Sequence, residues 1–169
     1  MFTTSNFILV ITTLTTALVA GLLFGYSCSV NPGLKNLTDE QYIAAMQSIN
    51  SVIQNPVFFS CFFGTLFLLP CAAYLHYGKE IPIKFTLLLS AAVIYLIGVI
   101  GITICGNVPL NETLGKFDLA STSQERMAAA RAAFEKPWNS LHTIRMFFSI
   151  VTLLLTILSC LCEGIKNSL

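Results

Sequence analysis

The sequence predicts an all-α protein: four transmembrane helices in a bundle, with amphipathic helical segments in the loops on one side of the bilayer. Three observations predict it. Hydrophobic residues make up 55% of the 169-residue chain and charged residues only 10%, with a mean hydropathy of +0.77. A soluble domain averages roughly 25% charged residues, so this chain has too few to cover a water-facing surface. Four apolar stretches each reach the roughly 20 residues a helix needs to cross a hydrocarbon core about 30 Å thick. The polar residues between them are grouped, which puts both long connections on one side and a short turn on the other. A single domain, residues 1–169, accounts for the length.

The first span is expected at residues 7–30. Its lead-in, MFTTSNF, lacks Lys and Arg, which argues against a signal peptide with a charged n-region. Gly25-Tyr26-Ser27 before Cys28 fits a lipoprotein cleavage site poorly, so the segment reads as a retained helix. Ala17, Gly21, Gly25 and Ser29 recur every four residues and predict a face that admits a neighbouring helix at close range. Asn31-Pro32-Gly33 is expected to end the helix.

An amphipathic segment follows, from Thr38 to Asn55. Thr38 with Gln41 predicts a capping box. Ile43, Met46, Ile49 and Ile53 mark an apolar face, and Gln47, Asn50 and Gln54 a polar one. Pro56 suits the first turn of the second span, residues 56–76. A turn from Tyr77 to Lys84, with Gly78 and Pro82, leads to the third span, residues 85–105. That span is expected to end at Gly106-Asn107-Val108-Pro109-Leu110-Asn111. A polar connection then runs to Lys136. Within it, Thr122 and Glu125 predict a second capping box opening an Ala-rich helix from Gln124 to Phe134. Pro137 is expected to start the last helix, whose span covers residues 138–162.

Alternating spans put both termini and the short turn on one side. The termini side holds Lys79, Lys84 and Lys166; the loop side holds Lys35, Lys116, Arg126, Arg131 and Lys136, with Arg145 at the boundary. A plain count of positive charge places the loops in the cytoplasm by a small margin, and acidic residues mix with the basic ones, so both orientations stay open. The sequons at Asn36 and Asn111 matter only if that side faces a secretory lumen. The net charge of +1 excludes the strong basic patch that nucleic acid demands. The six cysteines lie in or beside apolar stretches and read as small buried hydrophobes, and no zinc-type spacing links them. The two histidines, His76 and His142, fall on opposite sides of the bilayer, roughly 25–30 Å apart. That separation argues against a bis-histidine haem or a shared metal.

Polar residues at a membrane edge are costly and need partners or a task. Here they gather on the loop side: Asn31, Asn50, Asn107, Asn111, Trp138, Asn139, His142 and Arg145. Trp138, His142 and Arg145 stand at i, i+4 and i+7, on one helical face. His142 and Arg145 are the candidate catalytic pair, a base able to exchange a proton near neutral pH and a guanidinium able to hold a phenolate or enolate. Trp138 offers a flat face to a ring. Asn31, Asn50, Asn107, Asn111 and Asn139 are candidate substrate-binding residues. Each has a plainer use: Trp138 in an interfacial belt, His142 and the asparagines in caps and turns, Arg145 snorkelling or paired with Glu112, Glu125 or Glu135. No metal site, phosphate loop or dinucleotide fingerprint is present, and no cofactor is expected.

Gly21-Leu22-Leu23-Phe24-Gly25 running on to Asn31-Pro32-Gly33-Leu34, Met46-Gln47-Ser48-Ile49-Asn50, Asn107-Val108-Pro109-Leu110-Asn111, and Trp138-Asn139 followed by Arg145 together resemble the anthrone oxygenase-like family of small four-helix membrane proteins. The resemblance covers nearly the whole chain. It implies an integral membrane protein, expected in a cytoplasmic (inner) membrane, and, from characterised fungal members, oxidation of anthrones to anthraquinones with dioxygen. Two functions follow as expectations. One is a cofactor-independent oxygenase for an apolar aromatic, anthrone- or quinol-like small molecule. The other is a non-catalytic membrane protein that binds a lipid, a quinone or a partner membrane protein. The expected partners are membrane lipid, the aromatic small molecule and a second copy of the chain in a homo-oligomer, with no nucleic acid.

Overall fold

A computed structural model describes residues 3–78 and 82–162. Five helices are present among them: α1 (Thr4–Lys35), α2 (Asp39–Val52), α3 (Pro56–Leu75), α4 (Pro82–Gly115) and α5 (Gln124–Leu161). All but α2 are long and apolar enough to cross a membrane. The architecture is an all-α helical bundle in which α1 packs on α3, α3 on α4, α4 on α5, and α5 back on α1. The shorter α2 lies across α5 and the last turns of α4. Thr38 and Gln41 form the expected capping box at its start.

The polarity of the bundle is that of a protein dissolved in lipid. Large apolar side chains point outward: Phe7 is 56% exposed, Phe67 68% and Phe147 60%. The interior carries hydroxyls instead, including Thr12, Thr16, Thr65, Thr152 and Thr156, all buried. Most of these bond within their own helix. Thr12 donates to the Ile8 carbonyl, Thr16 to Thr12, Thr152 to Phe148 and Thr156 to Thr152, at 2.7–2.8 Å. Such bonds satisfy the hydroxyl inside an apolar medium, where an unpaired one is expensive. Tyr95, fully buried on α4, donates to the Phe62 carbonyl of α3 at 2.8 Å and ties the two helices at mid-core.

Three of the four expected spans lie in helices that run further on the loop side, because proline does not stop the helix here. α1 runs through Asn31-Pro32-Gly33 and α4 through Asn107-Val108-Pro109. Each proline is preceded by a wide turn, Tyr26–Val30 and Thr103–Asn107, in which the bonding span lengthens by one residue. Asn31 N–H donates to the Tyr26 carbonyl and Val108 N–H to that of Thr103, both five residues back. The helix widens just ahead of each of these prolines and continues through it, although a wide turn is not required for this: α3 passes Pro70 without one, and α4 widens also at Leu96–Gly101 with no proline beside it. Pro137 likewise sits inside α5 rather than at its start. It lies on the exposed face, and so does Ala133, whose carbonyl loses its donor. The capping box expected from Thr122 and Glu125 does not form. Ser123 is the capping residue, and Thr122 bonds back to the Asp118 carbonyl instead. Hydrogen bonds from Ser121 and Ala120 hold the exposed Asp118 carboxyl below its usual pKa.

Other expectations also change. A Cβ added at Gly21 or Gly25 meets nothing within 4 Å, so the Ala17–Ser29 stripe receives no helix within the chain. The buried stripe of α1 is Thr12, Thr16, Val19 and Leu23. Close approach occurs elsewhere: a Cβ at Gly98 on α4 would stand 2.4 Å from Phe148 of α5. The cysteines are free and none is buried; Cys28, Cys71 and Cys105 face outward. His76, expected at the interface, is buried, with Nδ1 2.7 Å from the Ala72 carbonyl. Gly78, with φ +67°, takes the left-handed turn that closes α3. The rest of that turn, residues 79–81, and with it Lys79, lies outside the described residues, as does Lys166.

Gly98→Ala is expected to lose about 1–3 kcal/mol of stability by overpacking against Phe148. Gly21→Ala is expected to be neutral or slightly stabilising, since the added methyl meets open space and improves helix propensity. Unfolding of the detergent-solubilised variants measures both.

Candidate functional site

On the loop side α2 closes over the helix ends and forms a cap. Its apolar face sets Tyr42, Ile43 and Met46 against Leu34, Leu114, Phe134 and Trp138. Polar ties hold it down. Arg131 of α5 donates to the Leu37 and Lys35 carbonyls at 2.8 and 3.2 Å, pairs with Asp39 at 3.1 Å and Glu135 at 2.7 Å, and lies 4.4 Å over the Tyr42 ring. Burial pushes the Tyr42 phenol above its usual pKa. Gln47 donates from Nε2 to the Leu114 and Phe117 carbonyls, both at 2.9 Å, and so caps the end of α4.

Beneath this cap lies a cluster built from α5 and the two wide turns. Along α5 the rings of Phe134, Trp138 and His142 stack, with centroids 6.0 and 5.1 Å apart and Trp138 nearly parallel to His142 at 6°. Tyr26, from the wide turn of α1, tilts against both Trp138 at 5.3 Å and His142 at 5.1 Å. Its hydroxyl donates to the Met46 sulfur of α2 at 3.1 Å. The Trp138 indole N–H donates to Asn111 Oδ1 at 2.7 Å, and Asn107 Nδ2 donates to the Trp138 carbonyl at 3.3 Å.

The hydrogen bonds fix the proton on His142. Nε2 lies 3.2 Å from the Leu23 carbonyl and 2.9 Å from Ser27 Oγ; a carbonyl only accepts, so Nε2 carries the hydrogen. Arg145 Nη2 stands 3.2 Å from Nδ1, and a guanidinium only donates, so Nδ1 presents its lone pair to Arg145. This assignment follows from the partners, since no hydrogen is seen directly. Arg145 Nη1 donates to Thr103 Oγ1 at 3.3 Å, and its guanidinium carbon lies 5.4 Å from the Trp138 ring centroid. Among the described residues no carboxylate pairs with Arg145, because Glu135 is taken by Arg131. Two sealed polar atoms are left without partners beside Trp138: Arg145 Nε, a donor, and Asn107 Oδ1, an acceptor.

Of the eight residues singled out by sequence, Asn107, Asn111, Trp138, His142 and Arg145 meet in this cluster. Asn31 makes none of its hydrogen bonds. Asn50 lies one turn beyond Met46 on α2, its Nδ2 sealed and unpaired, with no hydrogen bond to the cluster. Asn139 turns away, into a groove between α5 and the end of α1. A small apolar recess lined by Leu110, Leu114, Phe117, Ala130 and Phe134 adjoins the stack from the other side. Tyr26, Ser27, Met46 and Thr103 were not anticipated. A pattern does mark two of them: each is a hydroxyl inside an apolar run, four residues before an asparagine that stands one or two positions ahead of a proline (Ser27 to Asn31 and Pro32, Thr103 to Asn107 and Pro109). Among the described residues no three His, Cys, Asp or Glu side chains group as metal ligands.

A family model described as Anthrone oxygenase matches residues 58–155, more than half of the chain. The match takes in α3, α4 and most of α5, and so every cluster residue from Thr103 to Arg145. No curated protein matches the chain, and no solved structure matches it.

The two histidines should carry their protons on different nitrogens. In ¹⁵N-histidine spectra His142 is expected as the Nε2–H form, while His76 shows a protonated Nδ1 facing Ala72. In Arg145→Met the Nδ1 of His142 loses its donor, and its signals are expected to shift toward a tautomer mixture with His76 unchanged.

Proposed function

The chain belongs to the anthrone oxygenase family, and from that premise we propose that it is a membrane-embedded, cofactor-independent oxygenase acting on an apolar aromatic of the anthrone or quinol type. The membrane is proposed to be a cytoplasmic (inner) one. The observation that carries the reading is the unpartnered pair beside Trp138. Among the described residues no acid pairs with the Arg145 guanidinium, its Nε is unbonded, and Asn107 Oδ1, on the other side chain that touches Trp138, is unbonded too. A ligand with one anionic or carbonyl oxygen and one hydroxyl hydrogen satisfies both atoms; Trp138 is 4% exposed and packed by Phe134, Tyr26 and His142, so an aromatic ring enters by parting that stack.

For an anthrone the chemistry needs only the substrate, dioxygen and this chain. Substrate oxygen binds the Arg145 guanidinium, which stabilises the enolate as it forms. Drawing Nη2 toward that oxygen releases His142 Nδ1, which takes the acidic proton of the ring CH₂. Nε2–H stays anchored to Leu23 and Ser27, so the ring keeps its orientation. The carbanion gives electrons to dioxygen and forms a C–O bond, and protonation yields the hydroperoxide. Loss of the second C–H proton breaks the O–O bond and leaves a carbonyl and water. The sum is CH₂ plus O₂ to C=O plus H₂O, with carbon oxidised and dioxygen reduced. The apolar bundle keeps bulk water from the carbanion.

A second reading has one observation of its own: both ring nitrogens of His142 are satisfied internally. On that reading the cluster is a polar knot holding helix ends, in a protein that binds a lipid, a quinone or a protein partner without turnover.

Oxygen uptake and product analysis with an anthrone separate the two. Wild type is expected to consume one dioxygen per anthrone and to place one ¹⁸O atom from ¹⁸O₂ in the new carbonyl. Arg145→Lys is expected to lose about 10²–10³ in kcat/KM and His142→Gln about 10²–10⁴ in kcat. Trp138 is the sole tryptophan, so quenching of its fluorescence reports substrate binding in each variant. Rates in His142→Ala equal to wild type remove the base role; a wild-type protein that quenches but never consumes oxygen favours the second reading.

A further inference from the structure

We propose that the groove between the end of α1 and the outer face of α5 is a site for an anionic phospholipid whose headgroup carries a hydroxyl. The groove has a volume of about 650 Å³ and lies against Lys35, Lys136, Asn139, Ser140 and Thr143. It is separate from the cluster under the cap, where Asn139 takes no part.

The face of α5 that floors it changes character along its length as a phospholipid does. Lys136, Ser140, Thr143 and Phe147 stand at i, i+4, i+7 and i+11, on one side of the helix. Lys136, Ser140 and Thr143 are exposed. Below them Phe147 is 60% exposed and Leu154 54%, with Ile144 at 44% beside them. An ammonium therefore gives way to hydroxyls and then to bare apolar surface, which meets a phosphate, a glycerol backbone and an acyl chain in turn. Lys35, the last residue of the first span, supplies a second ammonium from the facing helix. Glu135 also lines the groove, but its carboxylate is engaged by Arg131 Nε at 2.7 Å. Both lysines thus remain available to an anion.

The remaining polar atoms ask for a donor. The Ser140 hydroxyl hydrogen is spent on the Lys136 carbonyl at 3.0 Å and that of Thr143 on the Asn139 carbonyl at 2.9 Å, leaving both oxygens as acceptors. Asn139 Oδ1 is sealed from solvent and has no partner. A choline headgroup has no hydroxyl to offer it. A glycerol headgroup does, while its phosphate meets the two lysines.

The test uses the full chain in a neutral detergent, with phosphatidylglycerol, phosphatidic acid, phosphatidylcholine or inorganic phosphate added, read by native mass spectrometry and unfolding temperature. Phosphatidylglycerol is expected to stay bound and to raise the unfolding temperature above the shift given by phosphatidic acid, with little effect from phosphatidylcholine or phosphate. Lys35→Gln/Lys136→Gln is expected to weaken phosphatidylglycerol about thirtyfold, from two exposed charges near an anionic headgroup. Its unfolding temperature without lipid should match wild type, since both side chains are exposed. Asn139→Ala is expected to erase the preference for phosphatidylglycerol over phosphatidic acid. A shift of equal size from phosphatidylcholine or from phosphate alone, or full binding by the lysine double variant, overturns the proposal.

Discussion

Arg145 imposes the constraint around which this site is organised. A guanidinium facing the inside of an apolar bundle, with no carboxylate paired to it among the described residues, has a desolvation penalty of several kcal/mol to offset. The structure answers with neutral groups: the His142 Nδ1 lone pair, the Thr103 hydroxyl and the face of Trp138. Each answer fixes something further. Accepting from Arg145 forces the His142 proton onto Nε2, which then finds Leu23 and Ser27 on α1. Holding Trp138 flat against His142 brings its indole N–H to Asn111. One cation thus orders side chains on α1, α4 and α5 together.

Those side chains arrive because two helices are locally underwound. The wide turns at Tyr26–Val30 and Thr103–Asn107 present Tyr26, Ser27, Thr103 and Asn107 toward α5. They also precede the points where α1 and α4 continue past Pro32 and Pro109 into the cap. The wide turns therefore build the cluster, as π-type turns commonly do at functional sites. Above it, Arg131 and Gln47 saturate the carbonyls at the ends of α1 and α4, which keeps α2 seated and the Trp138 stack covered.

Much of the fold was legible in the sequence because hydrophobic length is a direct consequence of bilayer thickness. Four spans, the α2 capping box and the convergence of Asn107, Asn111, Trp138, His142 and Arg145 all follow from span length and from polar residues placed at one edge. The departures at the helix ends share a cause. Proline ahead of a polar loop implies a helix end, and face assignment assumes 3.6 residues per turn, which holds only until a residue is inserted. Each wide turn shifts later positions by about 100° around the axis. Asn31 follows such a turn and makes no hydrogen bond in the cluster, whereas Tyr26, which opens it, packs on Trp138 and His142. The stripe of small residues on α1 is open surface because the bundle buries hydroxyls such as Thr12 and Thr16 instead. Asn139 follows Trp138 directly, and adjacent residues on a helix cannot face the same way.

The central claim is that Arg145 and Asn107 await a ligand oxygen and a ligand hydroxyl. A structure of the protein bound to a hydroxylated anthraquinone tests it most directly. The account predicts the ring against Trp138, a carbonyl or phenolate oxygen within hydrogen-bond distance of Arg145, and a hydroxyl on Asn107 Oδ1. A ligand bound elsewhere, with Arg145 still held by His142 and Thr103 as it is here, would contradict it.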